Sequence, residues 1–111
     1  MGVTRVELFT EKQNQLAQMA KVLGHPARIA IIQHLLKSNT CINSDLVNEL
    51  GLAQATISQH LRELKNTGLI QGSIEGVSVC YCIDSKVWNE FRDAFVQLFD
   101  QLNMNDVSSC C

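Results

Sequence analysis

The chain has 111 residues, of which 46% are hydrophobic and 18% charged, and its formal net charge is −2. This length accommodates one domain with a modest core, or one domain plus dimerisation helices, and the hydrophobic content and single proline favour a folded, mostly helical protein. No apolar run approaches the ~20 residues that cross a membrane, and the first residues lack the basic-then-apolar order of a signal peptide. We therefore expect a cytoplasmic protein without a membrane partner, whose five cysteines are free thiols and not a disulfide framework.

The distribution of charge is more informative than its sum. Between residues 12 and 44 the chain has no acid and four cations, which are Lys12, Lys21, Arg28 and Lys37. A basic segment in an acidic protein is compatible with an edge that faces phosphates. It is equally compatible with the polar side of two helices.

Two helices are predicted before residue 38, on either side of a His-Pro break. Helical spacing predicts the first over 9–23, with an apolar side formed by Phe9, Leu16, Met19, Ala20 and Leu23. Pro26 suits the first position of the second helix, where its missing N–H costs nothing. That helix is expected to run to about Lys37, with a core face of Ile29, Ile32, Leu35 and Leu36. His25 and His34 have no clustered partners in the sequence, so we expect a helix-entry residue and a surface or core residue.

A helix-turn-helix is predicted over residues 43–67. Its first helix, which Asn43 or Ser44 can cap, ends near Leu50, and Gly51 forms the turn. The second helix runs from about Gln54 to Asn66 and is ended by Gly68 in a left-handed conformation. Its buried stripe consists of Ile57, Leu61 and Leu64.

The polar side of the second helix suits a DNA groove. Its side chains are hydrogen-bonding groups and two cations, the types that contact base edges and phosphates: Gln54, Thr56, Ser58, Gln59, Arg62 and Lys65. We therefore predict that this helix reads a major groove, the alternative being an amphipathic hairpin with a solvated outer face. Ala53 precedes the helix where Ser or Thr would be favoured by roughly 1 kcal/mol.

After Gly68 the apolar period changes from helical to alternating. Two strands are predicted over 69–74 and 78–83, with Glu75-Gly76 at the hairpin tip. A helix-turn-helix followed directly by this wing, residues 69–84, is a winged helix. The expected fold is mainly α with a small β-hairpin, in a single domain over 1–111.

A last helix is predicted over 85–103, with a broad apolar face rich in aromatic residues. A domain this small cannot easily bury that face together with the stripe of the first helix. We therefore expect a homodimer in which helices 9–23 and 85–103 pack across a two-fold axis, the alternative being a monomer with the last helix folded back. The interface residues would be Leu16, Met19, Leu23, Trp88, Phe91, Phe95, Leu98 and Phe99. Residues 104–111 are expected to form a flexible tail.

Four segments of the sequence match a known pattern: Leu23-Gly24-His25-Pro26-Ala27-Arg28-Ile29, Asp45-Leu46, residues 53–64 and Gly68-Leu69-Ile70. In these segments the chain resembles the ArsR/SmtB family of dimeric winged-helix repressors. The resemblance implies a dimer that binds a double-stranded DNA operator, blocks transcription, and is released by a metal ion, a metalloid or a thiol oxidant. The family's reading positions map onto Gln54, Thr56, Ser58, Gln59 and Arg62. We expect His60 to be a packed or linking residue.

Three features depart from the family's pattern. The family's metal motif is Cys-Val-Cys-Asp-Leu, where this chain has Ile42-Asn43-Ser44-Asp45-Leu46, and one inserted residue would recover only Cys41. At the family's other metal site Asp84 matches the first ligand, but Val87 stands at the histidine position. Many relatives carry arginine around the wing tip, where this chain has Ile74-Glu75-Gly76-Val77. We therefore expect both common metal sites to be incomplete and the wing to bind phosphate weakly.

The five thiols are the candidate ligands of an inducer: Cys41, Cys80, Cys82, Cys110 and Cys111. Cys80 and Cys82 are predicted to point the same way from one strand, and an extended tail reaches ~25 Å, far enough to visit the wing or a partner subunit. Trivalent arsenic or antimony and cadmium prefer such thiolates, so the expected effector is a soft metal or metalloid such as arsenite. The alternative is that these cysteines only pack as small hydrophobic residues.

Two further functions stay open. One is a repressor of the same fold whose trigger is oxidation or persulfidation of two thiols. The other is a protein-interaction module that kept the winged helix without operator binding. We do not expect an enzyme, because no nucleophile–base arrangement and no phosphate-cradling glycine loop is visible.

Overall fold

The computed structural model describes residues 6–37, 50–75 and 78–102. After a 3-10 turn at Val6–Leu8 come α1 (Glu11–Leu23), α2 (Pro26–Lys37), α3 (Gln54–Asn66), β1 (Ile70–Glu75), β2 (Ser78–Ile83) and α4 (Ser85–Phe99). Four helices and a small antiparallel hairpin in this order form a winged helix, as predicted. The predicted first helix of the helix-turn-helix, before Leu50, and the predicted tail lie outside the described residues.

Helix α1 begins two residues later than predicted because Thr10 caps it. The Thr10 hydroxyl accepts a hydrogen bond from the Gln13 backbone N–H (3.1 Å), and the Gln13 side-chain oxygen accepts one from the Thr10 N–H (3.0 Å). This reciprocal pair is a capping box. It leaves Phe9 outside the helix and 53% exposed, so Phe9 is not part of the buried side. Ala20, also predicted there, is exposed.

Helix α2 has the predicted bounds, but its buried face differs from the prediction. Ile31, Ile32 and Leu35 are buried, while Ile29 and Leu36 are 39% and 48% exposed. Apolar residues surround most of this helix, so the sequence period alone does not determine which side packs inward. The side that contacts α3, β2 and α1 becomes the core face.

The core forms where α1, α2, α3 and the base of the hairpin meet. The stripe predicted on α3 is buried as expected, and Leu64 is fully inaccessible. Each such side chain contributes ~1.5–3 kcal/mol when it leaves water. The buried apolar residues are Met19, Val22, Ile31, Ile32, Leu35, Ile57, Leu61, Leu64, Leu69, Ile70 and Phe91.

The hairpin starts inside this core. In its antiparallel register Ile70 pairs with Ile83 at the base and Glu75 pairs with Ser78 near the tip. Strand β1 therefore begins and ends one residue later than predicted, and β2 has the predicted bounds. The Asp84 backbone N–H donates to the Leu69 carbonyl (3.0 Å) and fixes the base of the wing. The wing therefore leaves the core in an orientation set by α3.

Helix α4 begins at an acidic cap and ends earlier than predicted. The Asp84 carboxylate accepts hydrogen bonds from the backbone N–H groups of Lys86 (3.0 Å) and Val87 (3.2 Å). The helix ends at Phe99, not near residue 103. Across the part of the chain that the structure describes, no helix is both long and apolar enough to cross a membrane.

The uncapped start of α3 generates a stability prediction. Ala53 has the extended backbone of an N-cap residue but makes no side-chain hydrogen bond to the helix. We expect Ala53→Ser to raise the free energy of unfolding by ~1 kcal/mol, because the hydroxyl accepts an N–H that the helix leaves unpaired. Urea unfolding at fixed protein concentration measures this. Asp84→Ala is the matched control at the cap of α4 and should lower the free energy of unfolding by ~1 kcal/mol. If Asp84→Ala lowers this free energy but Ala53→Ser does not raise it, the prediction is contradicted.

Candidate nucleic-acid interface

Two glycines set the start and the end of the candidate reading helix α3. Gly51 and Gly68 have φ angles of +66° and +83°, in a backbone region that residues with a Cβ atom rarely adopt. The Gly68 N–H donates to the Lys65 carbonyl (2.9 Å), which closes the last turn of α3. The Thr67 hydroxyl donates to the Leu64 carbonyl (2.7 Å) and accepts from the Leu69 N–H (3.3 Å). These contacts fix how α3 passes into the wing.

The side chains predicted to read DNA all lie on α3 and are all exposed: Gln54, Thr56, Ser58, Gln59, Arg62 and Lys65. Four of them follow one another at spacings of four, four and three residues, so they form a single row along the helix. That row consists of Gln54, Ser58, Arg62 and Lys65. The stripe opposite this polar side is buried in the core. Because the apolar stripe of α3 is buried, its polar side is the one that a ligand can reach.

One acid also lies beside this polar surface. The Gln59 side-chain amide donates to the Glu63 carboxylate at an exposed site (3.4 Å). Glu63 repels phosphate at this position, or accepts from a cytosine amino group if it faces a base edge. Glu63 was not among the residues predicted from the sequence to contact DNA.

His60 is the one polar residue of α3 that the structure buries among the described side chains, with 8% of its surface exposed. Its Nδ1 accepts a hydrogen bond from Nε of Arg28 in α2 (3.1 Å). The His25 ring lies against it, with 4.4 Å between ring centroids and a tilt of 51°. His60 is thus the packed and linking residue that was predicted, whereas His25 does have a clustered partner, contrary to the prediction.

Burial and neighbouring cations act together on the His60 imidazole. Burial lowers the pKa of His60 from its usual value of 6.5, and the charges of His25 and Arg28 lower it further, while Glu63 opposes them. A neutral imidazole can keep Nδ1 free to accept the Arg28 bond. Arg28 is half-buried in these contacts, and of the predicted basic segment only Lys12, Lys21 and Lys37 are exposed.

The structure places only part of the candidate thiol site. Cys82 is a half-buried free thiol in β2, opposite Gln71 in β1. Cys80 occupies the strand position opposite Ser73. Cys41, Cys110 and Cys111 lie outside the described residues. Within the described ranges, no three His, Cys, Asp or Glu side chains are grouped so that they could hold a metal ion.

The residues predicted to form a dimer interface differ in exposure. Met19 and Phe91 are buried in the core of the single chain. Leu16, Leu23, Trp88 and Phe95 are half-buried, and Leu98 and Phe99 are exposed. The Phe95 and Phe99 rings lie 6.5 Å apart between centroids. Because α1 also contacts α4, these side chains belong to two adjoining helices.

Comparison with known proteins identifies the relatives of this chain. Residues 25–71 match the family described as bacterial regulatory protein, arsR family. The uncharacterized HTH-type transcriptional regulator MJ1325 of Methanocaldococcus jannaschii is 30% identical over 93 residues, 83% of this chain and 99% of that relative. The HTH-type transcriptional repressor SmtB of Mycobacterium tuberculosis is 38% identical over 64 residues, 58% of this chain. Those residues span 47% of SmtB, so the chain matches about half of that relative.

Among solved structures, the chain is similar to the homodimeric winged helix-turn-helix DNA-binding domain Mb0332 from Mycobacterium bovis. The TM-score is 0.62 at 23% identity, over 93% of each chain. This likeness concerns the fold. The match to the arsR family, together with a relative covered over 99% of its length, shows that the chain belongs to the ArsR/SmtB family of winged-helix transcriptional regulators, a family of DNA-binding proteins and not of enzymes.

Proposed function

We propose that the protein is a repressor that binds an operator as a homodimer through α3 and leaves it when cysteine thiolates bind a soft metal or metalloid such as arsenite. The observation that carries the DNA-binding part is the exposed row Gln54, Ser58, Arg62 and Lys65, which runs beside the buried stripe of α3. As a regulator that acts on the chromosome, the protein would function in the cytoplasm.

The order of side chains along α3 supports distinct roles in the groove. Gln54, Thr56, Ser58 and Gln59 occupy the first two turns, and the N-terminal residues of a reading helix are the ones that meet base edges. Glutamine can form two hydrogen bonds with one adenine, and a serine or threonine hydroxyl can hydrogen-bond to a donor or an acceptor on a base edge. Arg62 and Lys65 follow in the last turns, about 12–17 Å along the axis from Gln54, where the helix leaves the groove and approaches the backbone. We therefore assign Arg62 and Lys65 to phosphates.

The wing adds little positive charge to this interface. The sequence Ile74-Glu75-Gly76-Val77 around its tip has an acid and no cation. Phosphate attraction in each subunit then depends on Arg62, Lys65 and the exposed lysines of α1 and α2. With so few cations, one subunit alone would bind weakly, and two subunits would have to bind together.

The C-terminal part of α4 supports the homodimer. Its exposed apolar side chains continue from Val96 and Leu98 through Phe99 to Leu102, and Phe99 is 70% exposed. Leu8 and Phe9 are also exposed before α1. Monomeric soluble proteins rarely expose contiguous apolar patches of this kind, whereas a two-fold contact between copies would cover them. The similar domain Mb0332 is itself described as homodimeric.

The cysteines support the choice of effector. Thiolates prefer soft ions, and the Cys82 thiol is half-buried in the strand that also contains Cys80. Cys110, Cys111 or Cys41 would complete a thiolate shell, and they provide more donors than the strand alone. Because oxidation or persulfidation needs only two thiols, the same cysteines also fit the second candidate, a repressor released by thiol oxidation or persulfidation.

Arg62→Ala tests the DNA interface. On an operator duplex selected with the wild-type protein, we expect affinity to fall at least tenfold because each subunit loses a phosphate contact. The slope of log affinity against log salt should fall by ~1.8 for the two copies in a dimer. Arg92→Ala is the control, because it removes the same charge from an exposed residue on α4. Equal affinities for wild type and Arg62→Ala would contradict the assignment.

Phe99→Glu tests the dimer. A charge placed in the shared apolar patch should produce a monomer at micromolar concentration, measured by sedimentation, with the helical content unchanged. Asn89→Glu adds the same charge to an exposed position near the start of α4 and should remain a dimer. A dimeric Phe99→Glu protein would refute the assignment of this patch.

Release from the operator separates the two effector hypotheses. Under reducing conditions we expect arsenite, antimonite or cadmium to dissociate the complex, in a gel-shift or anisotropy titration. Cys80→Ser and Cys82→Ser should still bind DNA but lose the response, and a Cys110→Ser/Cys111→Ser variant shows whether the tail contributes. Dissociation by an oxidant alone, with no response to the ions, would favour the redox mechanism over the soft-ion mechanism.

A further inference from the structure

We infer that Arg28 and His60 form a positioning pair that sets the orientation of α3 and thereby sets operator affinity, without either residue contacting DNA. This inference rests on the proposed function, since it concerns the helix that is proposed to read the operator. It assigns a role to two residues outside the exposed polar surface of α3.

One guanidinium joins three helices. From α2, Arg28 donates through Nε to Nδ1 of His60 on α3 (3.1 Å) and through Nη1 to the carbonyl of Val22 in the last turn of α1 (3.3 Å). Carbonyls in the last turn of a helix have no partner within the helix, so this bond gives the Val22 carbonyl a partner from another helix. The guanidinium is a planar fork with fixed donor directions. It therefore constrains the position of α3 relative to α1 as well as α2.

His60 is well placed to control the polar surface of α3. It follows Gln59 directly and lies one turn after Thr56, at the border between the buried stripe and the exposed side. A helix with its side chains has a radius of about 5–6 Å, so a rotation of about 20° displaces a side-chain tip by about 2 Å. That displacement exceeds the distance range of a hydrogen bond to a base edge. Loss of the link would therefore misalign contacts that Arg28 and His60 do not make themselves.

The link requires an unprotonated Nδ1 on His60. Three groups face this imidazole: His25 from the segment between α1 and α2, Arg28 from α2, and Glu63 from α3 itself. Two of them are basic, so a proton on Nδ1 would oppose the Arg28 N–H and add a cation beside another. Because the pKa of His60 is lowered in the folded chain, its imidazole is neutral and its bond to Arg28 is intact above pH 6.5. The stability that this bond contributes is lost as the pH falls through the lower pKa of the folded chain.

The test is a double-mutant cycle on operator binding at pH 7.5. Arg28→Met and His60→Leu should each reduce affinity at least tenfold, and the double variant should be no weaker than the weaker single, because all three lack the same link. Arg92→Met is the control for loss of an exposed cation. Fully additive losses, or wild-type affinity for Arg28→Met, would overturn the inference.

Two readouts separate positioning from other roles. Arg28→Met should keep the wild-type salt slope, because Arg28 does not touch phosphate; a fall of ~1.8 would reveal direct contact and overturn the inference. His60→Asn keeps an acceptor near the Nδ1 position but does not titrate. It should retain affinity within a few fold at pH 7.5 and keep that affinity as the pH is lowered, whereas the wild type should lose affinity at a pH below 6.5. A tenfold loss in His60→Asn with normal unfolding would also contradict the inference.

The failure of this inference is distinguishable from failure of the proposed function. If wild type binds the operator and Arg62→Ala does not, but Arg28→Met behaves as wild type, only the positioning role is wrong. If wild type binds no operator, residual dipolar couplings of the α2 and α3 amides still measure the angle between the helices. That angle should change in Arg28→Met and His60→Leu and be unchanged in His60→Asn; an unchanged angle in the first two would overturn the positioning role.

Discussion

The burial of one side of α3 is the constraint on which the rest of the structure depends. Ile57, Leu61 and Leu64 pack into the core that α2 and the base of the hairpin complete, and this contact determines which residues face outward. The wing begins from the same core, through Leu69 and Ile70. One amphipathic helix therefore positions both the candidate reading surface and the strand that carries Cys80 and Cys82.

Where the sequence contains local signals, it predicts the fold well. Gly51, Gly68 and Pro26 mark element ends by backbone conformation or a missing N–H, and α2 and α3 have the predicted bounds. The face of α2 was predicted wrongly because apolar residues surround most of that helix, so only tertiary packing selects Ile31 over Ile29. The start of α1 was missed because the capping box of Thr10 was not recognised.

The candidate site shows the same division between local and distant information. The exposure of the polar side of α3 follows from a single helical period, and the structure confirms it. The bond between Arg28 and His60 joins residues 32 apart in sequence, and no local pattern indicates such a pair. Arg28 was predicted only as one cation of a basic segment, because composition reports charge and not burial. The contact between His25 and His60 was missed because these two residues are also far apart in sequence.

Under the proposed function, weak attraction in each subunit would make the orientation of α3 important for the whole dimer. With an acidic chain and a wing tip without cations, affinity under the proposed function comes from two copies of α3 that bind together. A misalignment that costs each copy ~1.4 kcal/mol costs the pair ~2.8 kcal/mol, a hundredfold change in affinity. A small change in the packing of α3, from a ligand at β2 or from loss of the Arg28–His60 bond, is then sufficient for release. Under the proposed function, release from the operator would therefore need no large conformational change.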